Sequence, residues 1–381
     1  MRGVMMLVNL YPPLGGGAEH QAERLAMYLA HRNVFSGVLT RKLDHSPVHE
    51  KRDGVQIIRI RELGPGRFRS FSFIFGSVFY MILHAGSFDV LHAHLAFAPA
   101  VAASVTGKLL GKRVMIKFGG SGPYGDVQEL KNSWRGRLSL SIMRRWADLF
   151  VALTEEIEQE MLNAGLPPAR IIRMVNGVDT NLFCPSTDKR FAKASLDLAD
   201  RTVLLFTGRL TAQKALPDLI SALKQVSGVL TNIHLLLAGD GEERNMLETM
   251  AADLGIRSRL TFLGRCDSVK PYLDAADIFV LPSLSEGISN SLLEAMASGL
   301  PCIATNVGGS FEALAQGRCG VLVSPDNVQQ LADAILQLAS DEQEMERLGR
   351  QARKRAVDHY ELAVVGEQYF RLYQKLVHEI I

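Results

Sequence analysis

Residues 283–309 read Ser-Leu-Ser-Glu-Gly-Ile-Ser-Asn-Ser-Leu-Leu-Glu-Ala-Met-Ala-Ser-Gly-Leu-Pro-Cys-Ile-Ala-Thr-Asn-Val-Gly-Gly. The stretch places Glu286 on a loop, opens a helix at Ser289 or Asn290 with Glu294 in its first turns, and stops it at Gly299 and Pro301. A helix that starts just after Gly287 and Ile288 turns backbone N–H groups toward an anion, most naturally a phosphate. Ionised Glu286 and Glu294 are pure acceptors and suit sugar or ribose hydroxyls. A phosphate held between two hydroxylated rings describes a nucleotide-diphosphate sugar, the expected ligand. A solvent-facing helix with two surface glutamates would read the same locally, so the rest of the chain has to decide.

Outward from this stretch, short apolar runs alternate with helical ones. In the second half, residues 203–207, 234–238, 260–262, 278–281, 301–305 and 320–323 read as strands, and 327–339 and 341–360 as helices. The first half repeats the pattern, with strands over 4–9, 34–39, 55–60, 90–93, 114–117 and 149–153. Its 18–31 segment is a helix with Ala22, Leu25, Ala26 and Leu29 on one face. Strands alternating with helices predict parallel sheets covered on both faces. Residues 182–200, with Pro185 and mixed polar side chains, read as a connector. The 381 residues exceed one ordinary core. The expectation is an α/β chain of two doubly wound halves, with domains over 1–180 and 201–360 and a final segment over 361–381.

An apolar fraction of 47% and a charged fraction of 22% are those of a globular protein. The net charge of +2 is unevenly placed: residues 1–170 carry 21 Lys and Arg against 14 Asp and Glu, net +7, and the remainder is net −5. A basic first half suits an anionic surface or a lipid diphosphate, while nucleic acid is not an expected partner. Cys184, Cys266, Cys302 and Cys319 form no Cys-x-x-Cys pair and read as reduced thiols. The run from Val4 to Leu10 is short and ends at Tyr11-Pro12-Pro13, so it reads as a first strand and not as a signal peptide. No segment has the uninterrupted apolar length of a membrane span. Arg67-Phe68-Arg69 precedes the apolar residues 71–83, and Arg135, Arg137, Arg144 and Arg145 lie between Trp134 and Trp146. Both suit an interfacial helix, although the first reads better as a buried helix and the second as a surface one. The expected setting is cytoplasmic, with peripheral contact at the inner face of the cell membrane.

Polar elements follow the strands, where an α/β site belongs. Thr207-Gly208-Arg209-Leu210 ends one, and Lys214 follows; two cations there can neutralise a diphosphate leaving group. Gly239-Asp240-Gly241-Glu242 and Phe262-Leu263-Gly264 end the next two and could line a nucleotide pocket. Gly15-Gly16-Gly17 with Glu19 follows the first strand of the chain and allows close approach of a phosphate or sugar. His92 and His94 share one face of a strand end; no further ligands stand at metal spacing, so no metal is expected, and His94 is the candidate group facing a cleft. Asn176-Gly177-Val178-Asp179 is a turn at the domain junction.

With these residues in view, the chain resembles the retaining glycosyltransferases of family four, also called group 1, over nearly its whole length. The resemblance rests on the Gly15–Glu19, Asp89–His94, Asn176–Asp179, Gly208–Leu210 with Lys214, Gly239–Gly241 and Phe262–Gly264 segments and on Glu286-x7-Glu294. It implies the GT-B fold, two Rossmann-like domains facing each other across a cleft, with the last helix crossing back to the first domain. It implies that Glu286 contacts the donor sugar, Glu294 holds the ribose hydroxyls, and Arg209 and Lys214 grip the diphosphate together with amides after Gly287. The chain departs from the family at Lys117-Phe118-Gly119-Gly120-Ser121-Gly122, where many members carry a His-Gly pair. Phe118 cannot replace that histidine chemically, so the backbone of 119–122, with Asp126 nearby, is the expected substitute.

The expected activity is metal-independent, retaining transfer of a sugar from a nucleotide-diphosphate sugar to an acceptor hydroxyl on a polysaccharide or lipid-linked glycan, with no cofactor besides that co-substrate. The catalytic candidates are Arg209, Lys214, Glu286 and His94. The donor-binding candidates are Gly16, Gly17, Asn176, Gly208, Gly239, Asp240, Phe262, Leu263, Gly287, Ile288, Ser289, Asn290 and Glu294. A nucleotide-sugar epimerase of the same architecture, or a non-catalytic donor-binding subunit, is the alternative.

Overall fold

Two sheets organise the chain. The computed structural model describes residues 1–11, 15–43, 46–64 and 67–378. Pro12 and Pro13, the Arg67 side chain and the last three residues of the expected 361–381 segment lie outside the described residues. The chain divides into one unit of Met1–Gly177 with Leu362–Ile381, and a second of Val178–Glu361.

The first unit holds β1 (Gly3–Leu7), β2 (Phe35–Arg41), β3 (His49–Arg52), β4 (Val55–Ile60), β5 (Val90–Ala93), β6 (Arg113–Phe118), β7 (Leu149–Ala152) and β8 (Ile171–Arg173). They lie in the order β3-β4-β2-β1-β5-β6-β7-β8. All pairs are parallel except β3 with β4. That hairpin turns on Asp53 and Gly54, both at positive φ (48° and 81°), the two-residue geometry whose twist matches paired strands. The central strand is apolar throughout because helices cover both of its faces, and Val4 to Leu7 are fully buried. Ala22, Leu25, Ala26 and Leu29 of the Gly17–His31 helix pack on one face. The Leu362–His378 helix joins them, adding Val365, Tyr369, Tyr373 and Leu376 to the same core.

The second unit holds β9 (Thr202–Thr207), β10 (Ile233–Ala238), β11 (Leu260–Gly264), β12 (Ile278–Leu281), β13 (Cys302–Thr305) and β14 (Val321–Val323). Their order is β11-β10-β9-β12-β13-β14, all parallel. Both sheets grow in two directions from their first strand, so each has a switch point, between β1 and β5 and between β9 and β12. In such sheets ligands bind beyond the carboxyl ends of the strands at that point.

Residues 182–200 are more than a connector. Asp188 caps a helix at Lys189–Ala194 by accepting from the Phe191 amide (2.9 Å). Lys189 and Lys193 hold Asp277 ahead of β12, at 3.1 and 2.6 Å. The Arg67–Leu83 helix also departs from expectation. Phe73, Ser77 and Met81 are buried, but Phe68, Phe71, Phe75 and Phe79 are exposed, so it is not an interior helix. No described helix is long and apolar enough to cross a membrane.

Candidate active site

The switch point of the second unit carries the charged candidates. After β9 the chain passes Gly208 and Arg209 into a short turn, Ala212–Lys214, that ends on Ala215 at φ 46°. A non-glycine residue in that left-handed region costs on the order of 1 kcal/mol, and here it fixes the direction of the neighbouring Lys214. After β12, the Lys214 ammonium meets the Glu286 carboxylate, and the Ser283 hydroxyl donates to the same oxygen at 2.7 Å. Two further bonds tie these loops: Leu284 N–H to the Gln213 carbonyl (2.9 Å) and the Gln213 side-chain amide to the Ser285 carbonyl (2.8 Å). Glu286 is buried, Lys214 nearly so, and Arg209 is exposed. Neighbouring cations of such different surroundings can act differently: one held in place, the other available to an anion.

Glycines let the surrounding loops touch backbone to backbone. Gly208 N–H donates to Ala238 O (3.0 Å), Leu210 N–H to Asp240 O (3.0 Å) and Gly239 N–H to Gly264 O (2.8 Å). A side chain at Gly239 would run into Gly208 O, one at Gly241 into Leu210 O, and one at Gly309 into Gly287 O. Asp240 is exposed and accepts from Gly241 N–H (3.0 Å). Phe262 is flanked by two guanidinium groups, Arg244 at 5.9 Å and Arg257 at 5.6 Å from its ring centre, and Leu263 is half-buried beside it. Beyond Gly287 and Ile288, both buried, Ser289 precedes the Asn290–Ala297 helix. Its hydroxyl meets the Ser291 hydroxyl (3.0 Å) and makes no capping bond. Glu294 is half-buried one turn into the helix.

In the first unit, Gly15 to Gly17 follow β1, and Glu19 accepts from Gly16 N–H at 2.9 Å, closing the start of the Gly17–His31 helix. His94, the candidate for a group facing a cleft, follows β5; it is buried, and neither ring nitrogen has a hydrogen-bond partner among the described residues. His92, its ring 4.0 Å away, bonds the Tyr373 hydroxyl at 2.6 Å. Burial pushes both imidazoles well below their usual range, so both are neutral at pH 7. Lys117 is buried beside them, and desolvation lowers it to about 7. Asn176 is buried with its Oδ1 engaged by the Lys117 ammonium (2.7 Å), which makes it a positioning residue of this network.

Phe118 packs edge-on to Phe150, with centroids 6.4 Å apart, inside the core. The backbone of 119–122 does not stand in for the missing histidine in the way expected, because its donors are already occupied. Gly119 N–H donates to Asp126 Oδ2 (2.5 Å), Gly122 N–H to Glu160 Oε1 (2.7 Å), and the Ser121 hydroxyl to Glu156 Oε2 (3.0 Å). Burial first, then Glu129 and Glu160, push Asp126 up to about 7, partly offset by the amides it accepts. Three acidic side chains thus brace this loop. Among the described residues no group of three or more His, Cys, Asp or Glu is placed to hold a metal ion.

Of the charged residues singled out in the second half, Lys214 and Glu286 meet at the β9–β12 switch point, with Arg209 on the loop that carries Lys214. Ser283 and Gln213 were missed, and only Ser283, three residues before Glu286, carried a local signal; Asp126 was singled out beside the 119–122 loop. Comparison with known proteins gives the family. A family model described as Glycosyl transferases group 1 matches residues 188–355, and one described as Glycosyltransferase Family 4 matches residues 15–182. The chain belongs to the group 1 glycosyltransferases. This glycosyltransferase is 26% identical over 291 residues to N-acetyl-alpha-D-glucosaminyl L-malate synthase of Bacillus anthracis, covering 76% of each chain. It is 26% identical over 312 residues to UDP-Gal:alpha-D-GlcNAc-diphosphoundecaprenol alpha-1,3-galactosyltransferase of Escherichia coli, covering 78% of each. Among solved structures it is similar to Anabaena Alr3699/HepE in complex with UDP and glucose, with a TM-score of 0.82 at 21% identity, covering 98% of this chain and 100% of that one. That likeness is one of fold, and the fold is GT-B.

Proposed function

We propose that this glycosyltransferase moves a sugar from a nucleotide-diphosphate sugar to an acceptor hydroxyl, retaining the anomeric configuration and using no metal ion. The observation that carries the reading is the Lys214–Glu286 pair across the β9–β12 switch point, with exposed Arg209 on the same loop. As the glycosidic bond breaks, charge builds on the β-phosphate, and two cations held in advance lower that barrier. Arg209 takes the diphosphate directly, while Lys214 is shared between Glu286 and the phosphate. Glu286 accepts from donor-sugar hydroxyls and Glu294 from the ribose. Amides at Gly287, Ile288, Ser289 and Asn290 assist the phosphate, and Gly208, Gly239, Asp240, Phe262 and Leu263 shape the nucleotide pocket.

Gly16, Gly17 and His94 of the first unit remain candidates on the family resemblance alone, and the neutral His94 imidazole cannot supply charge. Asn176 acts through Lys117. Retention follows the family resemblance: the acceptor attacks the face the leaving group departs from, and the departing phosphate oxygen takes the acceptor proton. The relatives support a uridine nucleotide, since the Anabaena structure holds UDP and the Escherichia coli enzyme is named for UDP-Gal. They also support a glycan or lipid-linked acceptor.

The test pairs binding with turnover. Thermal shift against UDP, GDP, ADP and their sugars, with and without EDTA, should single out one nucleotide whose effect EDTA leaves unchanged. At 100 times its dissociation constant a ligand adds about 2.7 kcal/mol. Arg209→Ala should lower turnover by ~10²–10³. Wild-type turnover in that variant, or a donor response that EDTA abolishes, would sink the reading. Release of an epimer without acceptor would assign the site to an epimerase instead.

A further inference from the structure

The Arg67–Leu83 helix leaves an apolar row uncovered. Phe68, Phe71, Phe75 and Phe79 are 70%, 67%, 75% and 57% exposed, and Ile82 and Leu83 extend the row. The spacing of three and four residues puts the phenylalanines on one helical stripe about 16 Å long, opposite buried Phe73, Ser77 and Met81. From Phe71 to Leu83 the helix carries no charge, and Ser72 turns its hydroxyl back to Leu63 and Arg69. Exposed apolar stripes of this size mark a contact surface.

The surroundings say which contact. Arg61 and Arg69 are exposed at the start of this helix. The Ala98–Leu110 helix packs against it and ends on exposed Lys108 and Leu109. On its other side lies the Trp134–Trp146 helix, with exposed Trp134 and Leu138 among exposed Arg135, Arg137, Arg144 and Arg145. Neither the Arg67–Leu83 nor the Trp134–Trp146 helix contains an acidic residue. Bare aromatics with a cationic margin match the boundary between acyl chains and anionic headgroups.

We propose that this face of the first unit docks on an anionic lipid bilayer, with Phe68, Phe71, Phe75 and Phe79 entering the interface and the arginines of the Trp134–Trp146 helix meeting lipid phosphates. The proposal does not depend on the donor-site assignment. Flotation of the full chain with vesicles of phosphatidylcholine alone, and of phosphatidylcholine with phosphatidylglycerol, tests it. The wild type should float with the anionic vesicles and lose partitioning as salt rises. Phe75→Glu with Phe79→Glu should reduce partitioning on the order of tenfold or more. Replacing Arg135, Arg137, Arg144 and Arg145 by Ser should remove the preference for phosphatidylglycerol. Phe75→Ser with Phe79→Ser, checked for an unchanged melting transition, guards against misfolding. The proposal is overturned if the wild type stays at the bottom with anionic vesicles, or if both Phe variants float as it does. A wild-type dimer that the Phe variants split, with no flotation, overturns it in favour of a second copy of the chain.

Discussion

Truncating Lys214 would take the cation away from the buried Glu286 carboxylate, which the Ser283 hydroxyl does not replace in charge. Breaking a buried pair from one side costs about 3 kcal/mol or more. Arg209 is exposed, and its loss leaves nothing buried behind. Lys214→Ala should therefore lower both turnover and melting temperature, whereas Arg209→Ala should lower turnover alone. Parallel kinetics and thermal unfolding check this; equal melting losses in both would contradict the assigned surroundings. Asp126 offers a pH test at the same scale. Its folded value of about 7 lies above the ordinary 3.8, so between those values the folded chain holds a proton that the unfolded chain has released. Stability from this group is full below pH 3.8 and is lost as pH rises toward 7. Asp126→Asn keeps an acceptor for the Gly119 amide but cannot ionise. Its melting temperature should gain on the wild type as pH rises from about 5 to about 8. A difference that stays flat with pH would show that Asp126 is ionised throughout.

At the scale of elements, loops at the switch point are held by contacts that exclude even a methyl group. Gly309→Ala would push residues 286–288 off their position, because its Cβ meets Gly287 O. Overpacking of this kind costs about 1–3 kcal/mol, and here the displacement also moves Glu286, whose carbonyl accepts from Gly309 N–H (3.3 Å). The variant should bind nucleotide weakly while keeping its far-UV spectrum; unchanged affinity in a binding titration would refute the close approach. Most strands were legible because apolar runs between turn residues leave few alternatives. The exceptions have physical causes. β3 is His-Glu-Lys-Arg, a polar edge strand paired on one side, and its signal was Asp53-Gly54. The Lys189–Ala194 helix lacks apolar periodicity and is fastened by Asp277, more than 80 residues away. An all-apolar helix reads as buried, and the only cue in residues 67–83 to an exposed face was the pair of arginines around Phe68, which the apolar run outweighed. Arg209, Lys214 and Glu286 were legible because each follows a strand. The Lys117, Asn176, His92 and Tyr373 network was not, since its partners are 59 and 281 residues apart.

For the whole molecule, the second unit is an insertion within the first. It enters at Val178 and leaves at Glu361, and these residues form a parallel bridge, with Val178 N–H donating to Tyr360 O at 2.7 Å. Residues 178–361 therefore form one continuous segment with their own six-stranded sheet and adjoining ends. Residues 1–177 are incomplete without the last helix. Val365, Tyr369, Tyr373 and Leu376 are buried in the core beside Val4, Met6 and Leu25, and Tyr373 holds His92. Burying four such side chains contributes about 6–12 kcal/mol, comparable to the whole stability of an ordinary domain. An isolated 178–361 fragment should thus unfold cooperatively and keep the nucleotide's thermal shift. The 1–177 fragment should fail to do so until residues 362–381 are supplied, fused or added in trans. Circular dichroism melts of the two fragments decide the matter. Cooperative melting of 1–177 alone would mean that the last helix only covers a core already stable without it.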